Sequence, residues 1–167
     1  MTESTIKPDE VLCIASCGKA KIWNKNPRAG PTNAGDVYVG PYARRCIEYA
    51  KKFYPSSWCI LSAKYGFLLP DDVVPEDYNV TFNNKTTNPI TIDRLQKQVV
   101  EKKLDRFERI VIIAGENYAK IAREVFPNAE VITPLKGLGG NIRQANILAK
   151  AIKNNTLLER DVLAISP

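Results

Sequence analysis

Apolar residues fall into short unbroken runs, and the stretches between them carry apolar positions three and four apart. Residues 11–16 (VLCIAS), 58–62 (WCILS), 110–114 (IVIIA) and 130–133 (EVIT) are the runs, each bounded by polar or turn-forming residues. Runs of this length without alternation suit strands buried on both faces, as in a parallel sheet. Ala43, Cys46, Ile47 and Ala50 predict a helix over 41–54, stopped by Pro55. Thr91 or Asp93 can cap a second helix running to 103, with Leu95 and Val99 on one side and lysines on the other. A third helix is predicted over 117–126. A fourth spans 141–154, with Ile142, Ala145, Leu148, Ala149 and Ile152 on one face.

Strands alternating with helices predict an α/β fold of three layers: a mostly parallel central sheet of about four to five strands flanked by helices. The 167 residues form one domain on this reading. Residues 1–10 are a polar N-terminal extension. Residues 23–41, with three prolines and three glycines, form a long surface loop of the functional kind. Residues 66–78 and 83–89 read as irregular, and the tail from 156 shows no clear pattern.

Composition narrows the chemistry. The chain has no histidine, which removes Ser-His-Asp and Cys-His nucleophiles and histidine-ligated zinc. A net charge of +6 at pH 7 favours polyanionic partners. None of the four cysteines makes a C-x-x-C pair, so neither a metal site nor a cofactor is expected. Cys13 and Cys59 sit in apolar runs as small hydrophobes. Cys17, beside Gly18 and Lys19, is either a buried thiol or a reactive one whose pKa the lysine lowers. No signal peptide is visible, and no apolar run reaches the roughly 18 residues of a membrane span. A cytoplasmic protein with no membrane partner is expected.

In open α/β sheets, ligands bind beyond the carboxyl ends of the strands. Each predicted strand is followed there by a polar turn: Ser16-Cys17-Gly18-Lys19, Ser62-Ala63-Lys64-Tyr65-Gly66, Gly115-Glu116-Asn117-Tyr118, and Lys136-Gly137-Leu138-Gly139-Gly140-Asn141 after Pro134-Leu135. Three glycines before a helix make the last either an anion-binding turn or a flexible cap. Lys64 shares a side with Ser62 if the strand continues, and there it can neutralise phosphate or activate the hydroxyl. Gly35-Asp36-Val37-Tyr38-Val39-Gly40 offers Asp36 as a general base and Tyr38 as a stacking platform, or else a turn and a half-buried aromatic. Glu76, Asp77 and Tyr78 add two carboxylates and a phenol, most simply a solvated loop. The charges alternating between Asp93 and Arg109 read as a solvated face.

Ser16…Lys19, Gly35-Asp36-Val37-Tyr38-x-Gly40, Leu61-Ser62-Ala63-Lys64-Tyr65-Gly66 followed by Pro70-Asp71, and Asp77-Tyr78 together resemble the YaaA-like superfamily. The likeness is greatest to its small archaeal and bacterial relatives with an LSAKYG motif, and runs from about Val11 to Ile152. The resemblance implies an α/β fold, a positively charged cleft and DNA binding linked to protection against oxidative damage. Ala63 and Lys64 stand where the YaaA motif has Gly and Leu.

The expected function is directed at nucleic acid or a phosphorylated nucleotide. One reading is a metal-independent enzyme acting on a nucleobase or N-glycosidic bond. Its catalytic candidates are Asp36, Ser62, Lys64 and Glu116. Ser16, Cys17, Lys19, Tyr38, Gly40, Tyr65, Tyr78, Tyr118, Lys136, Gly137 and Gly139 would bind the substrate. The other reading is a non-catalytic DNA- or RNA-binding protein in which the same residues line a basic, aromatic groove. A ligand-free adaptor domain is a third.

Overall fold

The structure is a computed structural model that describes residues 6–165, so residues 1–5 of the expected N-terminal extension lie outside it, as do 166 and 167. Among the described residues there are seven strands: β1 (Val11–Ser16), β2 (Thr32–Asn33), β3 (Trp58–Ser62), β4 (Gly66–Leu68), β5 (Val73–Val74), β6 (Arg109–Ile113) and β7 (Glu130–Ile132). The helices are α1 (Ile22–Lys25), α2 (Ala34–Val37), α3 (Pro41–Phe53), α4 (Ile92–Glu101), α5 (Glu116–Val125), α6 (Asn141–Asn154) and α7 (Val162–Ile165).

The expected α/β sandwich is the observed one. Five strands form the central sheet in the order β4-β3-β1-β6-β7. β1 runs parallel to β3, with Cys13 opposite Trp58, and to β6, with Val11 opposite Arg109. β7 is parallel to β6, and only β4 is antiparallel. The chain leaves β1 for β3 on one side and returns to β6 on the other. The carboxyl ends of β1 and β6 therefore flank a topological switch point, where a crevice opens in folds of this kind.

The unbroken apolar runs are explained by cores on both faces. Along β1, Val11, Cys13 and Ala15 enter one core with Ala43, Cys46, Ile47 and Ala50 of α3 and Leu148 of α6. Leu12 and Ile14 enter the other, with Leu95 and Val99 of α4 and Ala119, Ala122 and Val125 of α5. Successive side chains point to opposite faces, so a strand sandwiched between helix layers must be apolar throughout. Each fully buried Ile or Leu contributes about 1.5–3 kcal/mol relative to exposure.

Two segments read as irregular or loop, and the unpatterned tail, hold more structure than their composition shows. Residues 66–78 contain β4 and β5 because Phe67 and Leu68, both buried, fold back along β3, with Ser62 opposite Gly66. Residues 23–41 hold β2 and α2 and part of α1, and β2 forms a ribbon with β5, Thr32 opposite Val74. Trp23 is buried there, its indole N–H donating to the Gly30 carbonyl at 2.9 Å. The tail also docks. Asp161, fully buried, accepts hydrogen bonds from the Tyr49 hydroxyl at 2.6 Å, the Tyr54 hydroxyl and the Leu163 amide, which ties residues 161–163 to α3 and the residue that follows it. Among the described residues no helix is long and apolar enough to cross a membrane.

Candidate functional site at the carboxyl edge of the sheet

A cleft of about 770 Å³ opens at the switch point. Its floor is the end of β1 and the turn after it: Ser16, Cys17, Gly18 and Lys19. Its walls are the first residues of α3 (Gly40, Pro41, Tyr42, Ala43) and of α5 (Gly115, Glu116, Asn117, Tyr118), with Asn141 at the start of α6. A strap, residues 78–83, lines it as well.

Three helices thus begin at this cleft, α6 reaching it through Asn141 alone, and all three are capped by glycine with no side-chain cap hydrogen bond: Gly40, Gly115 and Gly140. Nothing in the backbone demands glycine at these positions. Their φ values are −64°, −70° and −81°, and a Cβ would meet nothing within 4 Å at Gly115 and Gly140 and only Ala20 Cβ at 3.6 Å at Gly40. Serine or aspartate is the ordinary choice at an N-cap, because its oxygen satisfies an orphan amide. Leaving those amides free, at the positive ends of helix dipoles, creates affinity for an anion. The three ends are not equivalent. α5 carries Glu116 in its first turn, whereas α3 and α6 carry no acidic residue there. The positive ends of α3 and α6 are uncompensated.

Beneath the strap lies a network centred on Tyr78. Its hydroxyl is 2.5 Å from that of Tyr38 and 2.8 Å from that of Ser62. Its ring packs edge-on against Tyr65, at 5.3 Å between centroids. Lys21, buried, puts its ammonium 4.4 Å from the centre of the Tyr78 ring and donates to the carbonyls of Lys19 and Tyr78, both at 3.0 Å. Asp77 lies 3.9 Å from that ammonium. Burial lowers the Lys21 pKa, against the pull of Asp77. Burial likewise raises the phenols of Tyr38, Tyr78 and Tyr118 and keeps them protonated.

The expected site residues divide accordingly. Ser16, Cys17, Lys19, Gly40, Tyr78, Glu116 and Tyr118 line the cleft. Tyr38 is completely buried behind Tyr78, so it holds the strap and offers no face for stacking. Ser62 is spent on the turn: its hydroxyl accepts from the amides of Lys64 and Tyr65 at 3.2 and 3.1 Å. The strand ends at Ser62 and reverses through a three-residue turn, so Lys64 does not share a side with it and is exposed. The Lys64 ammonium sits near the rings of Tyr65 and Tyr78, at 5.3 and 5.7 Å.

Asp36 stands exposed on the one-turn helix α2 and does not line the cleft, so it shares no site with Glu116. Lys136, Gly137 and Gly139 are also exposed outside the cleft; of the glycine-rich turn, only Asn141 reaches it. Gly137 and Gly139 have φ of +79° and +93°, so the turn geometry accounts for them. Cys17 is not an activated thiol: burial raises its pKa by more than its contact with the Tyr118 hydroxyl (3.0 Å) and the charge of Lys21 lower it.

Sequence reasoning missed Lys21, Tyr42, Phe82 and Asn83. A lone lysine or tyrosine, or a single Phe-Asn in a polar stretch, carries no periodic signal. Among the described residues no three Cys, Asp or Glu side chains cluster as a metal site would require.

Residues 12–150 match a family described as a family of unknown function, DUF6884. An uncharacterized protein of Bacillus subtilis (strain 168), YfjM, is 41% identical over 139 residues, which covers 81% of this chain and 92% of that protein. These matches overturn the kinship with the YaaA-like superfamily expected from the Ser16…Lys19, Gly-Asp-x-Tyr-x-Gly, LSAKYG and Asp77-Tyr78 segments together; the LSAKYG segment forms the β3–β4 hairpin turn. The chain belongs to the DUF6884 family.

Proposed function

We propose that the cleft binds a phosphorylated nucleotide and that the protein is an enzyme acting on its N-glycosidic bond. The observation that carries this reading is the difference among the three helix ends. The free amides and uncompensated dipoles of α3 and α6, with Lys19 beside them, suit a phosphate. The third end holds a carboxylate, Glu116, across the same cleft. A cavity of about 770 Å³ is ample for a nucleotide, since ligand pockets run from about 300 to 1,000 Å³.

Glycosidic cleavage needs a carboxylate near C1′ to stabilise the oxocarbenium-like transition state or to activate water. Glu116 can do this. Its side chain stands in the first turn of α5 and is paired at 3.2 Å with Arg123 further along the same helix. In hydrolysis the base leaves with the electron pair of the C1′–N bond and takes a proton from solvent. Water bonds to C1′ and gives a proton to Glu116. Four free thiols suit a reducing, cytoplasmic setting.

The test is mass spectrometry of bases released from a pool of nucleoside 5′-monophosphates, in parallel with calorimetric affinity. Glu116→Gln is expected to lower base release by about 100-fold or more with affinity changed less than threefold. Asp36→Asn is expected to change neither. Base release that persists in the Glu116 variant sinks the catalytic assignment, and no binding of any nucleotide sinks the reading altogether.

A further inference from the structure

We infer that the end of the cleft formed by α5 and the strap is a subsite for the nucleobase, read by Phe82 and Tyr118 through ring contact and by Asn83 and Asn117 through hydrogen bonds. This rests on the nucleotide reading above and adds to it the part of the ligand that phosphate and glycosidic bond do not specify.

The strap crosses the edge of the sheet. Tyr78, at its start, packs on the core beneath α3 and α6, whereas Phe82, near its end, packs on the core beneath α4 and α5. The cleft therefore has two chemically different ends. At the α3 and α6 end are free amides, Lys19 and Asn141. At the α5 end, Phe82 and Tyr118 meet edge to face, with centroids 5.8 Å apart and planes at 87°. Both line the cleft and both are half-buried. An edge-to-face pair leaves one ring face open beside the other ring, and any base can stack on it.

The amides beside this pair are half used. The Asn117 side-chain N–H donates to the Asn83 carbonyl oxygen. That bond leaves the Asn83 amide hydrogens and the Asn117 carbonyl oxygen without a hydrogen-bond partner among the described residues, on two side chains that both line the cleft. An adjacent donor and acceptor complement the Watson–Crick edge of any common base, each of which presents an acceptor beside an N–H. A sugar phosphate alone offers no such edge and no face to stack. Glu116 lies next to Asn117 at the start of α5 and lines the same cleft.

The test is calorimetric titration of the four common nucleoside 5′-monophosphates against ribose 5-phosphate. The wild type is expected to bind at least one nucleotide about tenfold or more tightly than ribose 5-phosphate, a preference on the scale of one stacking contact. Phe82→Leu and Asn83→Ala are each expected to reduce that preference by about fivefold to tenfold while leaving ribose 5-phosphate affinity unchanged. Asn83 is exposed, so its variant does not endanger the fold. Equal binding of nucleotides and ribose 5-phosphate, or variants that weaken both ligands alike, overturns the subsite while the phosphate end stands. Failure of every phosphorylated ligand to bind overturns the nucleotide reading and the subsite with it.

Discussion

Tyr78 shows how much one side chain holds in this molecule. Its hydroxyl bridges Tyr38 and Ser62, its ring faces the Lys21 ammonium, and its carbonyl accepts from the same lysine. Tyr78→Phe leaves the Tyr38 hydroxyl buried without that partner, at a cost of about 1–3 kcal/mol, and is checked by urea denaturation. A loss below about 0.3 kcal/mol would mean that the network does not anchor the strap. The Cys17 thiol bears a second expectation. Because its pKa is raised, the thiolate forms only as pH climbs past the ordinary thiol range. Alkylation by iodoacetamide at pH 7.5 (an assay condition near neutrality, about one pH unit below the reference thiol pKa) is therefore expected to be slower than that of a free cysteine. At this scale the sequence was legible only in part. A residue type beside a strand end marks a candidate, as it did for Glu116 and Tyr118. Whether a side chain faces the cleft or the interior depends on where the strand stops. Ser62 and Lys64 diverge because β3 ends at Ser62, two residues short of what their alternation requires.

Elements were more legible. The helices over 41–54 and 141–154 are where their periodicity puts them, and the four parallel strands where their unbroken apolar runs put them, because burial against one core or two enforces those patterns. The β3–β4 hairpin was not seen, since three residues of β4 make too short a signal. It is held from outside: the Gln98 carboxamide of α4 accepts from the Phe67 amide and donates to the Tyr65 carbonyl, both at 2.8 Å. Gly66 has φ of +76°, and a Cβ there would strike the Gln98 side chain. Gly66→Ala is thus both strained and obstructed. It is expected to destabilise by about 2–3 kcal/mol, read from the denaturation midpoint, and to loosen the hairpin from α4.

Across the whole molecule, the burial of thiols and phenols sets the response to alkali. Ten such groups have raised pKa values: Cys13, Cys17, Cys46 and Cys59, with Tyr38, Tyr42, Tyr49, Tyr54, Tyr78 and Tyr118. Burial pushes Cys46 and Cys59 to about 12, from an ordinary 9.0. Between the ordinary and the raised value the unfolded chain has lost protons that the folded chain keeps, so stability falls as pH rises. Lys21, with its lowered pKa, acts in the opposite sense, one group against ten. The expected outcome is a plateau of stability below pH 9 on account of these groups and a progressive fall above it, measured by thermal melts across the alkaline range. Stability still rising at pH 11 (roughly one unit above the reference tyrosine pKa) would contradict the burial of these groups.

The bare glycine caps also have a consequence for anyone who selects variants of this chain. Gly40, Gly115 and Gly140 could each accept a serine without backbone strain, and each exchange would add a few tenths of a kcal/mol by satisfying an amide. A screen for heat resistance would therefore enrich these substitutions. On the phosphate reading proposed above, a serine oxygen at Gly40 would also take the amides offered to the ligand, so the most durable variants there would be the poorest binders.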